Sequence, residues 1–95
     1  MRNLTLAALV LALTSPAFAS AKKEKIEMAK GAKTSLVDAL GKATAKTPGK
    51  AVEAELKKKG GKVVWEVEVL GEDGKMSEVD VSTETGEVAD MEAKK

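Results

Sequence analysis

The sequence contains no cysteine, no histidine and no tyrosine, and only one tryptophan, one phenylalanine and two prolines. Without cysteine there is no disulfide, no thiolate metal site and no lipid-modified N-terminal cysteine. Without histidine there is no imidazole ligand and no Ser-His or Cys-His pair for nucleophilic catalysis. The redox compartment stays open, because an oxidising space permits disulfides without requiring them. The 16 Lys+Arg and 15 Asp+Glu nearly cancel, to a net charge of +1, so the whole chain provides no field for nucleic acid. At 95 residues it holds one small domain at most. An enzyme built from it would have to work with carboxylates and lysines, and neither a catalytic residue nor a cofactor is expected.

The first 19 residues read as a secretory signal. Arg2 supplies the positive start, and Leu4 to Thr14 form an apolar stretch of 11 residues. That is far short of the roughly 20 residues a spanning helix needs. Pro16 then interrupts, and Ala17-Phe18-Ala19 has the small-x-small form of a cleavage site. Cleavage after Ala19 implies a periplasmic or secreted protein of residues 20–95 with no stable membrane insertion. Trp65 is then its one aromatic residue.

Charge is unevenly spread over this remainder. Residues 20–62 carry 12 Lys and 5 acids, whereas residues 63–95 carry 3 Lys and 10 acids. The two parts neutralise one another across a folded domain, or one of them marks a charged surface. Residues 20–33 are Lys-rich, weakly periodic and interrupted by Gly31, which suggests a flexible leader. A helix is expected from Thr34 or Ser35, with Ser35 and Asp38 approximating a capping box. Leu36, Ala39, Leu40 and Ala43 fall at i, i+3, i+4 and i+7, on one face. Gly41 weakens that helix and suggests a close approach to a sheet. Pro48-Gly49 ends it.

Beyond Pro48 the pattern changes to period two. Val52, Ala54 and Leu56 share one face, and Glu53 and Glu55 the other. Gly60-Gly61 marks a turn, after which Val63, Trp65, Val67 and Val69 alternate with Val64, Glu66, Glu68 and Leu70. The segment from Gly71 to Lys75 is a second turn. Ser77, Val79 and Val81 then alternate with Met76, Glu78 and Asp80. A turn around Gly86 leads into Val88 to Met91, a short last strand, with 92–95 as a tail. The fold class is therefore α+β, with one helix packed on a three- to four-stranded antiparallel sheet. The expected core is Leu36, Ala39, Leu40, Ala43, Val52, Leu56, Trp65, Val67, Val69, Val79, Val81 and Val88.

This order resembles the PepSY domain, the module of metalloprotease propeptides and of many small exported bacterial proteins. Leu36-Val37-Asp38-Ala39-Leu40 is similar to the family's opening helix, and Gly49 to Leu56 to its first strand. Val64-Trp65-Glu66-Val67-Glu68-Val69 fits the central strand, and Asp73-Gly74-Lys75 the second hairpin turn. Thr85-Gly86-Glu87-Val88 fits the ending, although Ser82 stands where the family usually has Asp. The resemblance spans Ser35 to Val88 and places the domain at 34–91. It implies a non-catalytic module that binds or modulates an extracytoplasmic protein such as a protease or a sensor, with a monomer expected.

The acidic side of the sheet is the feature with chemical content. Pairing core residues with core residues aligns Val67 with Val79 and Trp65 with Val81. The same register sets Glu68 opposite Glu78 and Glu66 opposite Asp80, with Glu53 and Glu55 extending the patch. Like charges directly opposite are destabilising, so lysines and solvent must relieve them or something cationic binds there. These six carboxylates are the candidate partner-binding residues. The alternative function is a small-ligand or divalent-cation sensor or buffer using the same face, because hard oxygen ligands suit Ca²⁺ or Mg²⁺. No residue is assigned as a metal ligand, since the acids lack EF-hand spacing.

Overall fold

A computed structural model describes residues 16–94. Residues 1–15 of the expected signal segment lie outside the described residues. The elements in chain order are α1 (Pro16–Gly31), α2 (Leu36–Lys46), β1 (Gly49–Lys59), β2 (Lys62–Gly71), β3 (Met76–Ser82) and β4 (Val88–Lys94). The strands form one antiparallel sheet in the order β1-β2-β3-β4, so each pairs with its sequence neighbour.

Glycine sets the hairpins. Lys59 pairs with Lys62 across a two-residue loop in which Gly60 and Gly61 both have positive φ, 56° and 79°. Two consecutive positive φ values define the turn whose twist matches that of the flanking strands. In the second turn Gly74 has φ 82°, and the Lys75 N–H donates to Asp73 Oδ1 at 2.9 Å. The third turn is held by Ser82, whose Oγ accepts from the N–H groups of Glu84 and Thr85 at 3.2 and 3.1 Å.

The helix α2 starts where expected: Ser35 is its N-cap and accepts from the Asp38 N–H at 3.1 Å. It buries Ala39 and Ala43 against Val67, Val69, Val79 and Val81, all without exposed surface. Leu40, Ala54, Trp65 and Val88 pack around this cluster, and Leu56 is also buried. The close approach of helix and sheet runs through the two small alanines. Gly41 plays no part in it, since a Cβ there would meet nothing within 4 Å.

Two expected core residues lie outside the core. Leu36 is 41% exposed, in the first turn of α2 and one turn before the buried alanines. Val52 is 52% exposed because β1 carries a bulge. Ala51 pairs with Val69 and Glu53 with Glu68, so Val52 is the extra residue and leaves the buried row. Conversely Val64, expected on the polar face, is buried there, in register between Lys57 and Ser82.

The chain has two helices where one was expected. The Lys-rich segment read as a flexible leader belongs to α1, whose Ala, Lys, Glu and Met residues are good helix formers. The link from α1 to α2 is pinned to the sheet. The N–H groups of Lys33 and Thr34 both donate to the Thr83 carbonyl at 2.9 Å. Trp65 Nε1 donates to the Thr34 carbonyl at 2.9 Å. The strand β4 also runs further than expected, to Lys94, through most of the supposed tail.

Candidate functional site on the outer sheet face

The face of the sheet away from α2 carries two rows of carboxylates, placed by register alone. Glu53, Glu68, Glu78 and Glu92 are consecutive partners across the four strands. Glu55, Glu66, Asp80 and Asp90 form the next row. The expected pairs Glu68–Glu78, Glu66–Asp80, Val67–Val79 and Trp65–Val81 are all present. All six candidate binding residues therefore share one face, extended on β4 by Asp90 and Glu92. Strands lie about 4.8 Å apart, so such rows are unstable without cations.

Lysines supply them. Lys59 extends from β1 across β2, and its ammonium donates to Glu78 Oε1 at 2.9 Å and Asp80 Oδ2 at 3.0 Å on β3. It lies 2.8 Å from Glu66 Oε2 on β2. Lys57 bridges Glu55 and Glu66, 3.6 Å from each. Lys94 donates to Glu68 at 2.6 Å and lies 3.5 Å from Glu78. Lys25, from α1, lies 3.9 Å from Glu55. The bonds to Glu66, Glu78 and Asp80 raise the pKa of Lys59 far above its ordinary value. Lys59 in turn holds the Glu78 carboxyl below its ordinary range, against the opposing effect of burial. The centre of the face is thus an ion-paired cluster, while Glu53, Asp90 and Glu92 remain exposed at its edges.

A family model described as "Peptidase propeptide and YPEB domain" (PepSY) matches residues 33–92, well over half of the chain. The chain belongs to the PepSY family. No curated protein and no solved structure matches it. The PepSY match takes in α2, β1, β2, β3 and most of β4, and leaves out α1. The Ser82 departure from the PepSY pattern is structurally tolerated, since its hydroxyl accepts two backbone N–H groups of the turn. The Thr85-Gly86 ending of the PepSY domain lies against the start of α2. A Cβ on Gly86 would come within 3.2 Å of Thr34 Oγ1.

Sequence reasoning about this PepSY face missed Lys59, which was read only as part of a lysine run leading to a turn. Its position is in phase with Glu53, Glu55 and Lys57, so carrying the alternation to the end of β1 would have placed it here. Glu92 and Lys94 were missed because the last strand was expected to end at Met91, and Asp90, inside that strand, was not read as continuing the acidic row.

The ionic cluster makes stability depend on pH in a defined direction. Glu78 titrates below its ordinary 4.5 in the folded domain, so the unfolded chain binds the proton first as acid is added. Its contribution is complete above that value and is lost as pH falls through the folded pKa. Lys59 titrates above its ordinary 10.5, so its contribution persists up to that pH and is lost only beyond it. Urea midpoints should therefore be level from about pH 6 to 9 and fall below about 4.5. Glu78→Gln should show a shallower acid decline, and an identical decline would remove Glu78 from the cause.

Proposed function

We propose that this protein is an exported, non-catalytic PepSY module that binds and modulates an extracytoplasmic protein, a protease being the favoured class. The family carries this reading, since its description is that of a peptidase propeptide domain. The sequence of residues 1–19 supports export. Among the described residues no helix is long and apolar enough to cross a membrane. The outer sheet face is a surface of largely paired charge. Its inner carboxylates are engaged by Lys59, and Glu53, Asp90 and Glu92 are the ones left for a basic partner surface.

A stable complex would bury roughly 800 Å² on each partner. The test is capture of extracytoplasmic proteins on the immobilised chain, followed by a protease assay on what is retained. Glu53→Lys combined with Glu92→Lys should weaken capture about ten-fold and leave the fold intact, because reversed rim charges oppose association. Full capture by that double variant would exclude the acidic rim. Recovery of no partner at any salt concentration would exclude the reading as a whole.

A further inference from the structure

Glu66, Glu78 and Asp80 present one carboxylate oxygen each within 4.8 Å of one another. The residues come from β2 and β3, and the cluster exists only through the pairing of those strands. A row of acids is no site by itself, but Asp80 adds an independent observation. It is only 4% exposed, and its Oδ1 is buried with no hydrogen-bond partner. Its other oxygen is bound by Lys59.

The donor arithmetic explains why Oδ1 is left over. A lysine ammonium has three N–H donors, and Lys59 directs its ammonium at Glu66, Glu78 and Asp80 Oδ2. None remains for Oδ1. A calcium ion has no such limit. It takes six to eight oxygens at about 2.3–2.6 Å and accepts both oxygens of one carboxylate. Oxygens bound to one such ion lie no more than about 5 Å apart, and the three carboxylate oxygens meet that limit. Lys59 is the one ammonium shared by all three carboxylates, while Lys57 and Lys94 lie further out, 3.6 Å from Glu66 and 3.5 Å from Glu78. A divalent ion in place of Lys59 would therefore raise the positive charge at the centre. Mg²⁺ fits less well, because it demands near-octahedral geometry and gives up water reluctantly.

We propose that Glu66, Glu78 and Asp80 form a Ca²⁺ site in which the ion displaces the Lys59 ammonium and takes both oxygens of Asp80. Lys59 is the last residue of β1, beside the Gly60-Gly61 turn, and its side chain is partly open to solvent. It can swing outward without disturbing the strands. Lys59 thus acts as a resident cation that sets the threshold for binding.

Calorimetric titration of the full chain with CaCl₂ at constant ionic strength tests it. The wild type should bind one Ca²⁺ with an affinity of roughly 10⁻⁴–10⁻³ M, the range of extracellular modules. Its melting temperature should rise in about 10 mM CaCl₂ relative to NaCl of equal ionic strength. Lys59→Met should bind about ten-fold more tightly, because the competing ammonium is gone, and Glu78→Gln added to it should reverse that gain. MgCl₂ should bind at least about ten-fold more weakly than CaCl₂. If Lys59→Met is unfolded without Ca²⁺, circular dichroism should show it folding as CaCl₂ is added. Failure to fold with Ca²⁺, no tighter binding than wild type, or indifference to Glu78→Gln would each overturn the site.

Discussion

Trp65→Ala is expected to strip the domain of most of its stability, leaving about 0–2 kcal/mol and up to about half of the molecules unfolded at room temperature. The indole packs against the buried cluster of Ala39, Ala43 and four valines, opposite Leu56 and Val81 in the sheet register. Its Nε1 donates to the Thr34 carbonyl and so ties the link before α2 to the centre of β2. Truncating a large aromatic side chain to Ala costs about 3–5 kcal/mol. A domain of this size has about 5 kcal/mol in total. Urea unfolding followed by circular dichroism measures the loss. Trp65→Phe separates the two contributions, since it keeps most of the packing and removes the N–H, for an expected cost of about 1 kcal/mol. A stable, cooperative Trp65→Ala protein would place the indole outside the energetic core.

The second large effect is expected at Gly49. This residue opens β1 opposite Gly71, with φ at 155°, a backbone region that side chains rarely adopt. A Cβ there would overlap the Leu70 carbonyl oxygen and come within 2.9 Å of Gly71 Cα. Both obstacles are backbone, so neither can turn away. Gly49→Ala should therefore destabilise by about 3 kcal/mol, from strain and from the opened end of the β1–β2 ladder. Gly41→Ala is the contrasting case. It sits in α2 facing open space, so removing a helix-weakening glycine should stabilise by about 0.5–1 kcal/mol. Urea midpoints of the two variants should move in opposite directions. Equal stability of Gly49→Ala and the parent would show that the strand start adjusts freely.

The contrast between the two glycines shows where sequence reasoning stops. Glycine is costly inside a helix, so a close approach to the sheet is the natural expectation at Gly41. Whether a glycine is sterically required depends on what lies opposite, and that neighbour comes from a distant part of the chain. At Gly49 the neighbour is Leu70, 21 positions later.

Much else was legible before any coordinates. The period-two alternation of Val67, Val69, Val79 and Val81 determines which face of the central strands is buried. A one-residue slip would expose all of them, so the pairing of β2 with β3 follows from the pattern. The same register obliges Glu66 to face Asp80 and Glu68 to face Glu78, so the acidic face is a consequence of the buried one. Ser35 and Pro48 bound α2 through local chemistry, a cap and a missing N–H, which needs no tertiary information.

Tertiary structure decided the rest, for reasons of reach and pairing. The β1 bulge, which takes Val52 out of the core, is defined only by two residues opposing one on β2. α1 has helix-forming composition but little apolar periodicity, and its following link is held by backbone bonds to Thr83, contacts that no local pattern announces. Lys59 neutralises the acidic rows because a long flexible side chain spans an intervening strand to reach β3. Alternation assigns a residue to a face, but it does not say how far along that face its charge will travel.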